Sequence, residues 1–449
     1  MPEEKSKKKI MLERILRFMA SQIVKKYNPR IVAITGSVGK TSTKEAVFSV
    51  LSPHFRVRKN EKNYNNEIGL PLTVIGSETG GKSLLKWMGV FLKWALIMLW
   101  PVEYPEILVL EMGADRKGDI AYLTGFMKPA ISVLTEVSAS HLEHFKTIGA
   151  VLKEKATILK ALEEKDLAIL NADNVQIAKI LSKPKQYGIR SNILSYGFSD
   201  QADVKAADVF YGYSDMEKEG DMASNDMRGL SFKLTYKGTT LPVRLNNILA
   251  KHNIYAAMAG ISVGLGFELN LVDIAASLEN FSLPPGRMSL IAGMKESHII
   301  DDTYNASVVS TKAALDVLGE MGGARKIAVL GDMLELGTET EAGHAEVADK
   351  FLEIKGDIFI GVGTRMLFAV EELKKRKFKE GNLYHFRSPM EAAAKLEEII
   401  GKGDIVLVKG SQGLRMEKVV EEAMLEPYKA KDLLCRQNKA WKNEPWSAV

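Results

Sequence analysis

The residues best suited to chemistry are Gly36-Ser37-Val38-Gly39-Lys40-Thr41-Ser42, which follow the apolar run Ile31–Thr35 and open a helical pattern. A bound phosphate needs backbone N–H groups turned toward it, so glycines stand where a side chain would block its approach. The helix start adds partial positive charge. In such a loop Lys40 meets the β- and γ-phosphates and the Thr41 hydroxyl ligates Mg²⁺. The loop is one or two residues shorter than the usual P-loop spacing, but its strand–loop–helix setting reads as a nucleotide site. Glu111 closes a second apolar run, Ile107–Gly113. The carboxyl ends of parallel strands are where α/β sheets build ligand sites, and a carboxylate there suits Mg²⁺, which prefers oxygen ligands. A strand-end acid facing solvent is the plain alternative.

Such residues need a sheet to hold them. Short apolar runs at Ile31–Thr35, Ile107–Gly113, Ala130–Val137 and Leu167–Asp173 alternate with helical patterns, as in a parallel sheet covered by helices. From about Ala207 to Leu245 the pattern becomes a polar/apolar alternation with a Lys237-Gly238 turn, which predicts antiparallel strands, and a helix is expected from about Leu249 to Gly264. Leu283-Pro284-Pro285-Gly286 is a breaker cluster and the expected domain boundary. Beyond it, strand-like runs recur at SHIIDD, KIAVLGD, DIFIGVG, LYHF and DIVLVKG. The fold class is therefore α/β: a P-loop ATPase central domain with a mostly parallel sheet, followed by a C-terminal Rossmann-like α/β domain. The expected divisions are an amphipathic helix within 1–29, a central domain over 30–285 with an apolar insertion at 82–101, the C-terminal domain over 286–426, and a loosely held polar tail at 427–449.

The 449 residues fit roughly three domains, and 46% hydrophobic with 26% charged residues describes a globular chain. A net charge of +5 gives no case for nucleic acid, and the single cysteine, Cys435, excludes an internal disulfide. That fits a reducing cytoplasm. The N-terminus lacks the uncharged apolar core and cleavage site of a signal peptide. Leu84–Trp100, interrupted by Lys86 and Lys93, is shorter than the roughly 20 residues of a spanning helix. Two readings stay open for it: a helix docked on its own chain or a second subunit, or a helix lying in a membrane interface, peripheral to the inner face.

The chain resembles the Mur ligases over roughly Arg30 to Val420. The resemblance rests on TGSVGKTST, NYNNEIGLPLT, LEMGADRKGDI, HLEHF, PPGRM, DDTYNA, VLGDMLELG with His344, and VKGSQGLRME, in that order. Within the family the motifs look like those of the type that joins D-alanyl-D-alanine to UDP-N-acetylmuramoyl-tripeptide. The resemblance implies an ATP-dependent ligase acting through an acyl phosphate, with a nucleotide-sugar peptide and a D-Ala-D-Ala-like dipeptide as partners. It implies two Mg²⁺ ions held by Thr41, Glu111 and His141, and a carbamylated Lys155, fourteen positions after His141. It assigns Gly36, Ser37, Gly39, Lys40, Thr41, Ser42, Asn253, Arg287, Asp302, Tyr304 and Asn305 to the nucleotide. Asn65, Asn66, Glu335, His344, Lys409 and Ser411 fall to the substrates.

Three features depart from that pattern. Only 34 residues precede Thr35, so the separate N-terminal domain with which such ligases grip the UDP-sugar is expected to be absent. The Leu84–Trp100 insertion is outside the usual pattern. Where the family reads His-Asn-x-x-Asn, this chain has His252-Asn253-Ile254-Tyr255-Ala256. The competing readings are a folylpolyglutamate-synthase-like ligase, which shares the ATPase core, and a non-catalytic, membrane-associated nucleotide-binding scaffold.

Overall fold

The computed structural model describes residues 7–61, 64–114, 116–138, 145–213, 227–246, 248–334 and 336–442. The chain forms two compact units. The first comprises residues 1–210, 231–246 and 252–281, and the second comprises 211–230, 247–251 and 282–449.

The sheet of the first unit is built from β1 (Arg30–Thr35), β2 (Val57–Lys59), β3 (Ile107–Glu111), β4 (Ile131–Leu134), β5 (Leu167–Asn171), β6 (Asn192–Gly197), β7 (Val204–Tyr213), β8 (Met227–Tyr236) and β9 (Thr239–Leu245). Its order is β2-β3-β1-β4-β5-β6-β7-β8-β9. The apolar runs are unbroken because these strands are covered on both faces: β3 and β4 are buried throughout and β1 everywhere but its first residue. β3 lies on one side of β1 and β4 on the other, all parallel, with Ile34 opposite Glu111 and Thr35 opposite Leu134. Strand order therefore reverses at β1, which opens a crevice at its carboxyl end. Residues Lys237 and Gly238, both at positive φ (47° and 80°), turn β8 into β9 as the sequence predicts.

The helices of this unit are α1 (Lys7–Tyr27), α2 (Lys40–Leu51), α3 (Gly69–Ile75) and α4 (Leu84–Leu99), followed by others of which Ile148–Lys155 and Ile254–Gly266 matter below. Leu16, Met19, Ala20 and Ile23, spaced three and four apart, bury the inner face of α1 in the core. α2 packs on Ile254–Gly266 at Gly260, where a Cβ would come within 3.1 Å of the Ala46 backbone. That close approach fixes the helix that opens at Lys40. The expected helix from Leu249 begins instead at Ile254, after a single 3₁₀ turn over Lys251–Asn253.

The second unit contains β10 (Ser289–Gly293), β11 (Ser297–Asp302), β12 (Lys326–Gly331), β13 (Ile358–Val362), β14 (Leu383–Phe386) and β15 (Ile405–Lys409), in the order β10-β11-β15-β12-β13-β14. All neighbours are parallel except β10 and β11. Apolar clusters cover both faces of this Rossmann-like sheet.

The tail is held more firmly than its polar sequence suggests. Ala430 and Leu434 are buried in the second unit's core, and a buried charge network anchors the segment. Glu417 is fully buried, taking bonds from Arg415 Nε at 2.5 Å and Arg436 Nη2 at 2.8 Å. Arg436 also donates to the carbonyls of Thr303 and Tyr304, and Arg415 to that of Trp441. Removing one partner of a buried pair leaves the other charge without compensation. Glu417→Ala is therefore expected to lower the unfolding free energy by about 3–5 kcal/mol in urea titration. A loss within error of zero would show that the tail is not anchored this way.

Candidate active site

β1 runs into the loop Gly36–Gly39, and α2 begins at Lys40. Two glycines make this path possible. A Cβ on Gly36 would stand 2.0 Å from Thr135 Oγ1, and Gly39, at φ 82°, caps α2 in the left-handed region. The loop is braced from β4's end: Thr135 Oγ1 donates to the Val38 carbonyl at 2.6 Å and the Ser37 amide to the Glu136 carbonyl at 2.7 Å. Ser37 Oγ donates to the Ser138 carbonyl at 3.3 Å. Lys40 Nζ folds back on the carbonyls of Gly36 (2.8 Å) and Ser37 (3.3 Å). Lys155, at the end of Ile148–Lys155 and 2% exposed, donates to the same Gly36 carbonyl at 2.9 Å.

One strand over, Glu111 faces the loop. Thr41 Oγ1 donates to Glu111 Oε2 at 3.0 Å and Asn65 Nδ2 to Oε1 at 3.1 Å. Its backbone amide is held by Asn60 Oδ1 at 2.8 Å, and Asn60 is fully buried. Glu111 is thus a buried, oriented carboxylate beside a threonine hydroxyl, not a solvent-facing strand end. This pair of oxygen donors suits Mg²⁺, which characteristically takes one or two carboxylates plus phosphate and water oxygens. Among the described residues there is no group of three or more His, Cys, Asp or Glu side chains that would form a complete protein cage. The glycine cradle and helix start fit a nucleotide's phosphates. Asn253, 2% exposed, carries a buried Nδ2 with no hydrogen-bond partner among the described residues, a donor left over for a ligand. His141, Glu335 and the neighbouring His144 lie outside the described residues.

Asn66 does not join this cluster. Its Oδ1 accepts the amides of Ile68 (3.2 Å) and Gly69 (2.9 Å), the work of a turn residue at the start of α3. At the family's second-asparagine end, Tyr255 OH donates to Asp173 Oδ2 at 2.9 Å, and Asp173 also takes the amides of Phe198 and Ser199. Asn60, Thr135 and Asp173 were not singled out from sequence. Each stands one or two residues past a strand end with no motif to mark it, and the sheet order brings it to the loop or its neighbours.

In the second unit the named residues gather at the carboxyl edge of the sheet. Asp302 and Lys409 are register partners on β11 and β15 and form a 2.5 Å ion pair, with Lys409 also donating to the Asn305 carbonyl at 2.9 Å. The Arg287 guanidinium lies 4.2 Å from the Tyr304 ring centroid. His344, expected to meet substrate, is fully buried with both ring nitrogens engaged. The Met333 amide donates to Nε2 at 3.1 Å, and Nδ1 lies 2.6 Å from the Thr340 carbonyl. Burial holds its pKa below the ordinary histidine value. Ser411 Oγ accepts the Leu334 amide at 2.9 Å.

Asp301, next to Asp302, is fully buried, and its Oδ2 has no partner among the described residues. Burial pushes its carboxyl up to about 6, with Asp302 adding to the rise, while the Thr303 bonds and Arg436 pull it down. The folded chain then holds this proton more tightly than the unfolded chain. Stability contributed below the ordinary carboxylate pKa is lost as pH rises through about 6, an effect on the order of 3 kcal/mol. Asp301→Asn is expected to flatten the fall in unfolding free energy between about pH 4 and 6. An unchanged slope would place the titration elsewhere.

A central parallel strand feeding a glycine loop and helix, with an oriented acid at the neighbouring strand's end, defines a P-loop nucleotide-binding protein. Comparison with known proteins narrows the class. Residues 95–264 match the Mur ligase middle domain and 286–412 the Mur ligase, glutamate ligase domain. The UDP-N-acetylmuramoyl-tripeptide–D-alanyl-D-alanine ligase of Bacillus subtilis (strain 168) is 30% identical over 413 residues, covering 92% of this chain and 79% of the relative. The Escherichia coli (strain K12) ligase of the same name is 30% identical over 407 residues, 90% of this chain and 78% of its own. The solved MurF ligase of Thermotoga maritima in complex with ADP superposes with a TM-score of 0.70 at 25% identity, covering 91% of this chain and 83% of that one. The chain belongs to the Mur ligase family.

Proposed function

We propose that this chain is an ATP-dependent ligase that adds D-alanyl-D-alanine to UDP-N-acetylmuramoyl-tripeptide in peptidoglycan precursor synthesis. The observation that carries the reading is the Thr41 hydroxyl 3.0 Å from the Glu111 carboxylate at the mouth of the Gly36–Lys40 loop. There the backbone of Gly36, Ser37 and Gly39, with Lys40, Thr41 and Ser42, holds the phosphates of ATP. The tripeptide's terminal carboxylate attacks the γ-phosphorus, forming an acyl phosphate and releasing ADP. The dipeptide amine then attacks the acyl carbon and expels phosphate. Lys40 balances charge that grows on the transferring phosphoryl oxygens, and Asn65 orients Glu111. Mg²⁺, when bound at Thr41 and Glu111, supplies further charge neutralisation.

The finer assignments belong to the same reading. A second Mg²⁺ falls to His141 and to Lys155 in carbamylated form. The place of Lys155 supports this: it is buried and its Nζ lies 2.9 Å from the Gly36 carbonyl of the phosphate loop. Arg287 reaches the phosphates of ATP, Asp302, Tyr304 and Asn305 serve its ribose and adenine, and Asn253 adds a further contact to the nucleotide. Glu335, Lys409, His344 and Ser411 serve the amine side, the last two by holding the backbone of Met333 and Leu334 just before Glu335. The place of action is the cytoplasm, peripheral to the inner face of the membrane or in contact with a second subunit through residues 84–100.

The test is phosphate release by the purified chain with ATP and each acceptor set. Release with muramoyl-tripeptide plus D-Ala-D-Ala is expected. Release with folate plus glutamate alone would install the folylpolyglutamate-synthase-like reading, and release with neither would favour a scaffold.

A further inference from the structure

We propose that α1 and the insertion helix α4 together form a docking face for an anionic lipid surface. The proposal deepens the peripheral attachment in the reading above and rests on it, but not on the ligase chemistry. Leu85, Met88, Leu92, Leu96 and Leu99 fall at helical spacing along one stripe of α4, and they are 76%, 62%, 63%, 46% and 74% exposed. Trp100, just past the helix, is also exposed. Isolated exposed leucines need no explanation, but a continuous stripe of them does.

The stripe is fixed in place. Val90 and Ile97 on the opposite side are buried in the core, and Trp94 Nε1 donates to the Met19 carbonyl of α1 at 3.2 Å. At the helix's end, Lys26 Nζ and Tyr27 OH of α1 both donate to the Ile97 carbonyl at 2.8 Å. On the outer side of α1, Met11, Arg14 and Phe18 share one exposed face, and the Phe18 ring lies 6.5 Å from that of Trp94. The two helices therefore present adjoining apolar surface.

Charge decides what covers it. The charged residues of α4 are lysines, Lys86 exposed and Lys93 tied to the Gly76 carbonyl. In α1 the one acid, Glu13, is buried, while Lys7, Lys8, Lys9 and Arg14 are exposed. A second copy laid on this face would set like charges against each other. An anionic surface instead meets leucine and tryptophan with hydrocarbon and the basic rim with headgroups. The helix lies on that surface and does not cross it: at 1.5 Å per residue α4 spans about 24 Å, short of the roughly 30 Å hydrocarbon core, and no described helix is long and apolar enough to span.

The test is co-sedimentation of the full chain with phosphatidylcholine vesicles, and with vesicles in which about half the lipid is phosphatidylglycerol, at low and high salt. The wild-type chain is expected to pellet with the anionic vesicles at low salt and to stay in solution with the neutral ones. Leu92→Glu/Leu96→Glu and Lys8→Glu/Arg14→Glu are each expected to reduce the pelleted fraction about tenfold, with ATP turnover in the absence of vesicles unchanged. A wild-type chain that remains in the supernatant overturns the proposal, as does a leucine variant that still pellets. So does a wild-type dimer in sedimentation velocity that Leu92→Glu/Leu96→Glu converts to monomer without any vesicle binding. Pelleting by a chain that turns over no ATP supports the proposal and counts against the ligase reading alone.

Discussion

Lys40→Ala should abolish ADP and phosphate release, lowering turnover by about 10³-fold, while the unfolding midpoint stays close to that of the wild type. The two expectations separate because the lysine's structural bonds are modest. Its Nζ donates to the Gly36 and Ser37 carbonyls of its own loop, and a net hydrogen bond of that kind contributes about 1 kcal/mol. Its chemical role is larger. On the proposed reading it is a cation placed where negative charge grows, and it acts on the barrier itself. A coupled ADP assay alongside thermal melts reads both quantities. Turnover that persists within a few fold of the wild type would reject the phosphate role of this loop.

Glu111→Ala carries the second large effect. The side chain now receives the Thr41 hydroxyl and the Asn65 amide, and buried Asn60 fixes the backbone that aims it. Without the carboxylate, both donors lose their partner, and on the proposed reading Mg²⁺ would lose an oxygen ligand. Turnover should fall by about 10²–10³-fold, and the Mg²⁺ concentration for half-maximal rate should rise at least about tenfold. The KM for ATP should change far less, since the loop's backbone amides are untouched. Glu111→Asp should recover part of the rate at raised Mg²⁺. A variant with reduced rate but unaltered Mg²⁺ requirement would make Glu111 a structural acid.

The parts of this fold that were legible beforehand are those with a repeating or local signature. β1, β3, β4 and β5 announce themselves as apolar runs because both faces of the sheet are covered, and the loop at Gly36–Lys40 because its glycines sit where backbone must turn. The edge strands β2 and β10, three and five residues long and partly exposed, leave no such trace. The site divides the same way. Lys40, Thr41 and Glu111 follow from motif and strand position, whereas Asn60 and Thr135 are single polar residues whose partners lie 51 and 97 positions away. His344 is the converse case: a histidine in a suggestive motif has both ring nitrogens engaged by backbone groups, which no spacing in the sequence reveals. The tail's anchor is hidden in its polar sequence because it is ionic. Arg436 and Glu417 look like surface charges until the fold buries them together.

The fate of one oxygen atom tests the central claim most directly. If the tripeptide's terminal carboxylate is phosphorylated before the amine arrives, then ¹⁸O placed in that carboxylate must leave with the phosphate when the amide forms. Phosphate from a reaction with ATP, ¹⁸O-carboxylate tripeptide and D-Ala-D-Ala is expected to carry one labelled oxygen for each amide made. Phosphate without the label, released at the same rate whether or not the dipeptide is present, would mean that water takes the phosphoryl group and that this chain does not activate an acid.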